Sequence, residues 1–143
     1  MQSPDNNPVA VEIIKDMVKA LDSVPLLIEA KEHDKLVAGI SHLPFLLSAA
    51  LTLVTTKNPS WSGMSRLASS GYRDLTRLAS GNPEINASIC ITNRSAIIYW
   101  IDEFIKELQK LRISIIKNDK EIENALTMAN EARKKWLETK IQK

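Results

Sequence analysis

The sequence predicts an all-α protein: a helical bundle with one long apolar helix, a C-terminal antiparallel helix hairpin and one short strand near the N-terminus. Three observations predict it. Apolar residues recur at three- and four-residue spacing through most of the chain. Glycine is scarce, at 4 of 143 residues. Asn-Pro occurs three times, at Asn7-Pro8, Asn58-Pro59 and Asn82-Pro83. Asparagine caps helix N-termini well, and proline suits the first helical position because its missing N–H has no partner there. Each pair therefore predicts a helix start.

The first helix is expected from Pro8 to Leu21, with Val11, Ile14, Val18 and Leu21 on one face. Val24-Pro25-Leu26-Leu27-Ile28 then breaks the pattern and reads as a strand, which Pro25 confines to an edge or a strand start. Such a strand needs a pairing partner, and no second strand is evident in the chain. The second helix is expected from Ala30 to about Thr56. Its Leu36, Ile40, Leu43, Leu47, Ala50 and Val54 form a heptad-like seam, and Pro44 is expected to kink it near Ile40. From Leu43 onward it is apolar nearly all round, which predicts burial on several sides, inside a bundle or in an intertwined dimer. Two short helices hinged at Ser69-Ser70-Gly71 fill Trp61 to Ser80. Asn82 should cap one long helix from Pro83 to about Lys117, with Ile101, Phe104, Leu108, Leu111 and Ile115 as its seam. Asn118-Asp119 is expected to turn the chain, with Asn118 and Glu121 at capping-box spacing. The last helix, to about Lys140, carries Ile122, Ala125, Ala129, Ala132 and Trp136 as its seam and completes the hairpin.

Composition excludes several classes. The net charge of +2 is too small to imply nucleic acid, and no basic patch with interleaved aromatics is present. Cys90 is the only cysteine, so there is no intramolecular disulfide and no thiolate cluster, which suits a reducing, cytoplasmic compartment. The polar, Pro- and Asn-rich segment Met1–Val9 is not expected to act as a signal peptide. The apolar run Leu43–Val54 falls short of the roughly 20 residues of a membrane span, so a buried core helix is expected and no membrane partner.

Three polar groups sit where a bundle would rather have none. His33-Asp34 opens the long helix, where Asp34 favours the positive helix end. His42 lies beside the Pro44 kink. Nine residues separate the two histidines, about half a turn at roughly 100° per residue, so on a straight helix they face opposite ways. Only the kink would let them converge. No third ligand sits at suitable spacing on that helix, so no metal site is expected. Asp74 and Arg77, three apart, share a helix face and can pair. An arginine held by an aspartate is a natural carboxylate clamp, because its donor fork matches a carboxylate bidentately; an ordinary surface ion pair is the plainer reading. There is no GxGxxG, P-loop, HExxH, CxxC or nucleophile elbow.

In this order and spacing, His33-Asp34, Ser41-His42-Leu43-Pro44, Gly71-Tyr72-Arg73-Asp74-Leu75-Thr76-Arg77-Leu78-Ala79-Ser80, Pro83-Glu84 and Asn93-Arg94 resemble the C-terminal helical domain of the prephenate dehydrogenase family, which includes arogenate and cyclohexadienyl dehydrogenases. The resemblance covers about Ala30 to Lys140. It implies that residues 1–29 are the last helix and strand of a dinucleotide-binding domain, with the helical substrate and dimerisation domain from 30 to 143. It implies NAD or NADP, bound mainly by that other domain. The reaction implied is oxidative decarboxylation of prephenate to 4-hydroxyphenylpyruvate in tyrosine biosynthesis, with the catalytic histidine outside this chain and the chain alone inactive. Arg77 would clamp a substrate carboxylate, Asp74 would orient Arg77, His42 would line the pocket and His33 would join the polar network at its mouth. The same domain would build a homodimer. Phe45 stands where many members carry a further histidine, which leaves arogenate open as the substrate. Ser69-Ser70 replaces common glycines, and Asn86 a common aromatic. A non-catalytic helical dimerisation module is the alternative from a different class.

Overall fold

The computed structural model describes residues 7–117 and 120–141. The chain divides into two units, residues 1–100 and 101–143. Helices α1 (Pro8–Ala20), α2 (Ala30–Val37), α3 (Leu43–Thr56), α4 (Trp61–Leu67), α5 (Ser70–Thr76) and α6 (Pro83–Thr92) belong to the first unit, and α7 (Arg94–Lys117) begins there. The rest of α7 and α8 (Glu121–Ile141) form the second.

Helix α1 starts as the sequence requires, with Asn7 Oδ1 accepting the Val9 N–H at 2.9 Å. It ends in a Schellman turn: the Asp22 N–H donates to Lys19 O and the Ser23 N–H to Val18 O, while Asp22 takes φ 52°. Aspartate is one of the few residues whose short polar side chain tolerates that left-handed conformation. The strand expected over Val24–Ile28 does not form. The segment runs without regular structure, and the only β feature beside it is a single bridge residue, Glu29. A ladder needs a partner for its N–H and C=O groups, and the described residues contain no other strand. Val24 and Leu26 are left exposed.

Residues 30–56 form one helical rod, as expected, but its irregularity is a π-turn over Ala38–His42 joining α2 to α3. Pro44 has no N–H to offer the Ile40 carbonyl, and its ring would press on that carbonyl in a regular helix. Instead the Leu43 N–H reaches back five residues to Ala38 O, which widens the turn and makes room.

Three elements pack on α3 or follow from it. A 3₁₀ turn, Arg77–Ser80, continues α5 and lies against α3. There Ser48, buried at 2% exposure, accepts the Ala79 N–H on Oγ at 2.8 Å. Thr55 Oγ1 and the Tyr72 hydroxyl share a hydrogen bond of 2.8 Å, and the Tyr72 ring leans on Trp61 at 5.8 Å. The polar residues inside the apolar helix are thus its fasteners. The Asn58-Pro59 pair makes a turn rather than a direct cap: Asn58 Oδ1 accepts the Ser60 N–H at 2.9 Å, and α4 begins at Trp61.

Asn82 caps α6, accepting from the Glu84 and Ile85 N–H groups at 2.9 and 3.1 Å. The single long helix expected after it is two. Asn93 breaks the run, with φ −108° and ψ 33°. The Thr92 hydroxyl bonds back to Ser88 O and Ile89 O, a local competition that bends helices, and the Asn93 side chain finds its partners on the rod.

In the second unit, Lys106–Glu103 and Lys110–Glu107 pair at i,i+3 spacing on exposed α7. The expected turn at Asn118-Asp119, and the Asn118–Glu121 cap, lie outside the described residues. The seams the sequence marked are largely uncovered: Leu108, Ile115 and Trp136 are 50%, 65% and 56% exposed.

Among the described residues, only Ala38, Leu43 and Ile97 are buried and apolar. The accessible surface is 11,922 Å². Bodies of about 100 and 43 residues, each closed on itself, would present roughly 8,800 Å². Large apolar side chains are exposed on several helices, among them Val54 on α3 and Ile116 on α7. The rod Ala30–Thr56, 27 residues with a stretch of mean hydropathy 1.8, is long and apolar enough to cross a membrane by length and composition. The shortness of the run Leu43–Val54 does not by itself separate a core helix from a span.

Candidate functional site

The π-turn over Ala38–His42 lies between the two histidines. One inserted residue makes the nine-residue separation of His33 and His42 behave as about eight, roughly 80° apart instead of about 180°. The two imidazoles and the Asp34 carboxylate then act on one another. His33 Nδ1 lies 3.1 Å from Asp34 Oδ1. A carboxylate only accepts, so this nitrogen donates.

Burial pushes His42 below the ordinary histidine value of 6.5; the Asp34 charge pulls it back up, and His33 pushes it down further. The ring sits against Phe45, with centroids 6.1 Å apart. Phe45 is therefore the apolar side of this position and offers no charge.

The rod is held from the α6–α7 junction. Asn93 Nδ2 donates to Asp34 O at 2.7 Å and lies 3.3 Å from His42 Nδ1. One residue along the rod, Lys35 O accepts the Trp100 indole N–H at 3.2 Å. Trp100 can reach it because Gly39 has no side chain: a Cβ there would stand 2.6 Å from Trp100 Cε2. The break at Asn93 frees that side chain to reach the rod, and the glycine lets the α7 indole close over the π-turn. Neither Asn93, Gly39 nor Trp100 was singled out for the site by sequence reasoning. A glycine within the rod and an asparagine interrupting an apolar helical run were the available signals.

Arg77 and Asp74 are placed differently. Arg77 begins the 3₁₀ turn that Ser48 anchors, and it is exposed. Ser48 lies six residues past His42, about 9 Å along the helix axis. Asp74 pairs with Arg73, Nε to Oδ1 at 3.9 Å, rather than with Arg77, and both partners are exposed. Among the described residues no ion pair joins Asp74 to Arg77, although the two stand three residues apart. No hydrogen bond or ion pair joins Arg77 to His33 or His42 among the described residues. Asn93 thus joins Asp34 and His42, with His33 paired to Asp34, and among the described residues no hydrogen bond or ion pair links these groups to Arg77 or Asp74.

A family profile described as prephenate dehydrogenase, dimerization domain, matches residues 29–130. The chain belongs to the prephenate dehydrogenase family. Prephenate dehydrogenase of Bacillus subtilis is 32% identical over 113 residues, 78% of this chain and 30% of that protein. The crystal structure of Synechocystis arogenate dehydrogenase superposes with a TM-score of 0.79 at 28% identity, over 91% of this chain and 48% of that one. Prephenate dehydrogenase from Aquifex aeolicus, in complex with hydroxyphenyl propionate and NAD+, has the same fold at a TM-score of 0.82 and 22% identity, over 94% of this chain and 48% of that one. The chain thus spans about a third of the curated relative and about half of the solved ones. Dinucleotide recognition in an open α/β sheet needs a strand, a glycine-rich turn and a helix N-terminus. The described residues of this family member offer no such cradle.

Proposed function

We propose that this chain is the substrate-side and dimer-forming part of an NAD-dependent prephenate or arogenate dehydrogenase. The assembled enzyme would oxidatively decarboxylate its substrate, giving 4-hydroxyphenylpyruvate from prephenate, in tyrosine biosynthesis. The observation that carries the reading is the Asn93 side chain reaching both the Asp34 carbonyl and His42 Nδ1 on the rod, with His33 paired to Asp34, in a chain whose family profile covers residues 29–130. The nucleotide would be held by a dinucleotide-binding domain; residues 1–29 are read as that domain's last helix and connecting segment. This chain's own residues would bind and orient. His42 lines the pocket, His33 and Asp34 form the polar network at its mouth, and Arg77 holds a substrate carboxylate. Asp74 steers Arg77 by charge. The uncovered faces of the rod and of α7 and α8 meet a second copy, with the protein in the aqueous cytoplasm.

The exposure of Arg77 favours a second reading, a dimerisation module without a substrate role. One titration separates them. Prephenate, arogenate or hydroxyphenylpropionate, added to the ¹⁵N-labelled 143-residue chain, should shift His42 and the Arg77 side chain, and His42→Ala should weaken the response. Silence at both residues with all three acids sinks the substrate role. NAD and prephenate added to the chain alone should give no NADH; turnover would refute the assignment of the nucleotide to another domain.

A further inference from the structure

We propose that Asn93 is a positioning residue that fixes His42 as the Nε2–H tautomer, so that the ring meets its ligand as a donor to an oxygen atom. The Asn93 amide orientation is set by its shorter contact. A backbone carbonyl only accepts, so the atom 2.7 Å from Asp34 O is the NH₂ nitrogen, not the amide oxygen. That nitrogen has two hydrogens. One is spent on Asp34 O, and the other points to His42 Nδ1 at 3.3 Å. A donor facing Nδ1 requires a lone pair there, so the ring proton sits on Nε2. His33 is the opposite case: its Nδ1 faces the Asp34 carboxylate and carries the proton. Two histidines of one cluster thus hold different tautomers, each set by its neighbour.

The Nε2–H of His42 has no protein partner among the described residues, and no buried side-chain nitrogen or oxygen among them is left unsatisfied, so this N–H is open to solvent or ligand. A donor without an acceptor function selects a carboxylate, carbonyl or hydroxyl oxygen and offers nothing to an ammonium group. The titratable groups that act on His42 are Asp34 and His33 on its own rod; from the α6–α7 junction Asn93 presents a neutral donor. Asn93 thereby favours the uncharged ring without adding a charge of its own. The tautomer assignment stands on geometry alone; its use in binding rests on the reading of the cluster as a substrate wall.

The test is long-range ¹⁵N–¹H spectroscopy of the histidine-labelled 143-residue chain above neutral pH, with His33→Gln assigning the two rings. The expected result is a bare Nδ1 and a protonated Nε2 on His42 in the unaltered protein. A protonated Nδ1 overturns the proposal without recourse to any Asn93 variant. In Asn93→Ala the His42 signals should move toward a tautomer mixture, and its pKa should rise by about half a pH unit as the hydrogen bond to the neutral ring is lost. In Asn93→Asp the proton should transfer to Nδ1. An unchanged tautomer in both variants, with helical content retained, also overturns it. Hydroxyphenylpropionate added to the same sample should move the Nε2–H resonance. A fixed tautomer with no response to the acid would overturn the substrate-wall reading and leave the role of Asn93 standing.

Discussion

The two ends of the rod Ala30–Thr56 are fastened in the same way and end with opposite properties. At the α3 end, Ser48 accepts the Ala79 N–H and Thr55 meets Tyr72. At the α2 end, Asn93 and Trp100 take the carbonyls of Asp34 and Lys35, while His42 keeps a ring N–H unspent. The difference comes from the π-turn between them. A regular helix satisfies its own backbone and turns His33 and His42 apart; the widened turn rotates them together and presents carbonyls to side chains from outside. One end is scaffold because its hydrogen bonds join protein to protein. The other is a candidate site because one donor is left over.

Substitutions test that contrast, from the largest expected effect down. The uncovered apolar side of α3 should fail first: Val54, 68% exposed, replaced by Asp, should weaken self-association by roughly tenfold or more, because a buried face does not accept an unpaired charge. Sedimentation equilibrium reads this, and unchanged association would remove α3 from the interface. At the π-turn, Gly39→Ala should cost about 1–3 kcal/mol in urea denaturation, since the Trp100 indole ring must move and abandon Lys35 O. A neutral result would mean that Trp100 is not held there. At the scaffold end, Ser48→Ala should cost about 1–2 kcal/mol by stranding the Ala79 N–H without an acceptor, and it should leave the His42 tautomer unchanged, because the two ends are fastened separately.

A pH titration of stability comes next. The folded pKa of His42 lies below its ordinary value of 6.5, so on acidification the unfolded chain takes up this proton first. Stability should be full above about 6.5, decline as pH falls through the folded value, and level off below it. His42→Gln should flatten that portion of the curve; a curve of the same shape in the variant would assign the dependence elsewhere. The smallest effect is expected at Arg73→Gln. Its 3.9 Å contact with Asp74 is exposed on both sides, and thermal denaturation should register less than about 0.5 kcal/mol. A larger loss would mean that this pair is buried in the assembled protein.

Much of the chain was legible because its signals are local. Asn7 and Asn82 cap their helices because a side-chain oxygen two or three residues from a free N–H needs nothing else. The rod from Ala30 to Thr56 follows from apolar spacing. Pro44 announced an irregularity in the rod, and the family resemblance rested on an ordered set of short motifs. Two features were misjudged for one common reason: their outcome depends on partners far along the chain. Val24–Ile28 has the composition of a strand and finds no strand beside it among the described residues. The helix after Asn82 breaks because Asn93 has partners 51 and 59 residues away.

By itself, then, the sequence determined the helical class, the helix starts that carry side-chain caps, the apolar rod with its irregularity at Pro44, and the family. Each rests on interactions within a few residues or on an ordered pattern of residue types. Only the tertiary structure decided that Asn93 joins Asp34 and His42, that Asn93 and Trp100 hold the widened turn, and that Gly39 is the space through which they do it. Those depend on which carbonyl a side chain meets across the fold. A π-turn's one-residue shift rewrites every facing relation that helical spacing implies.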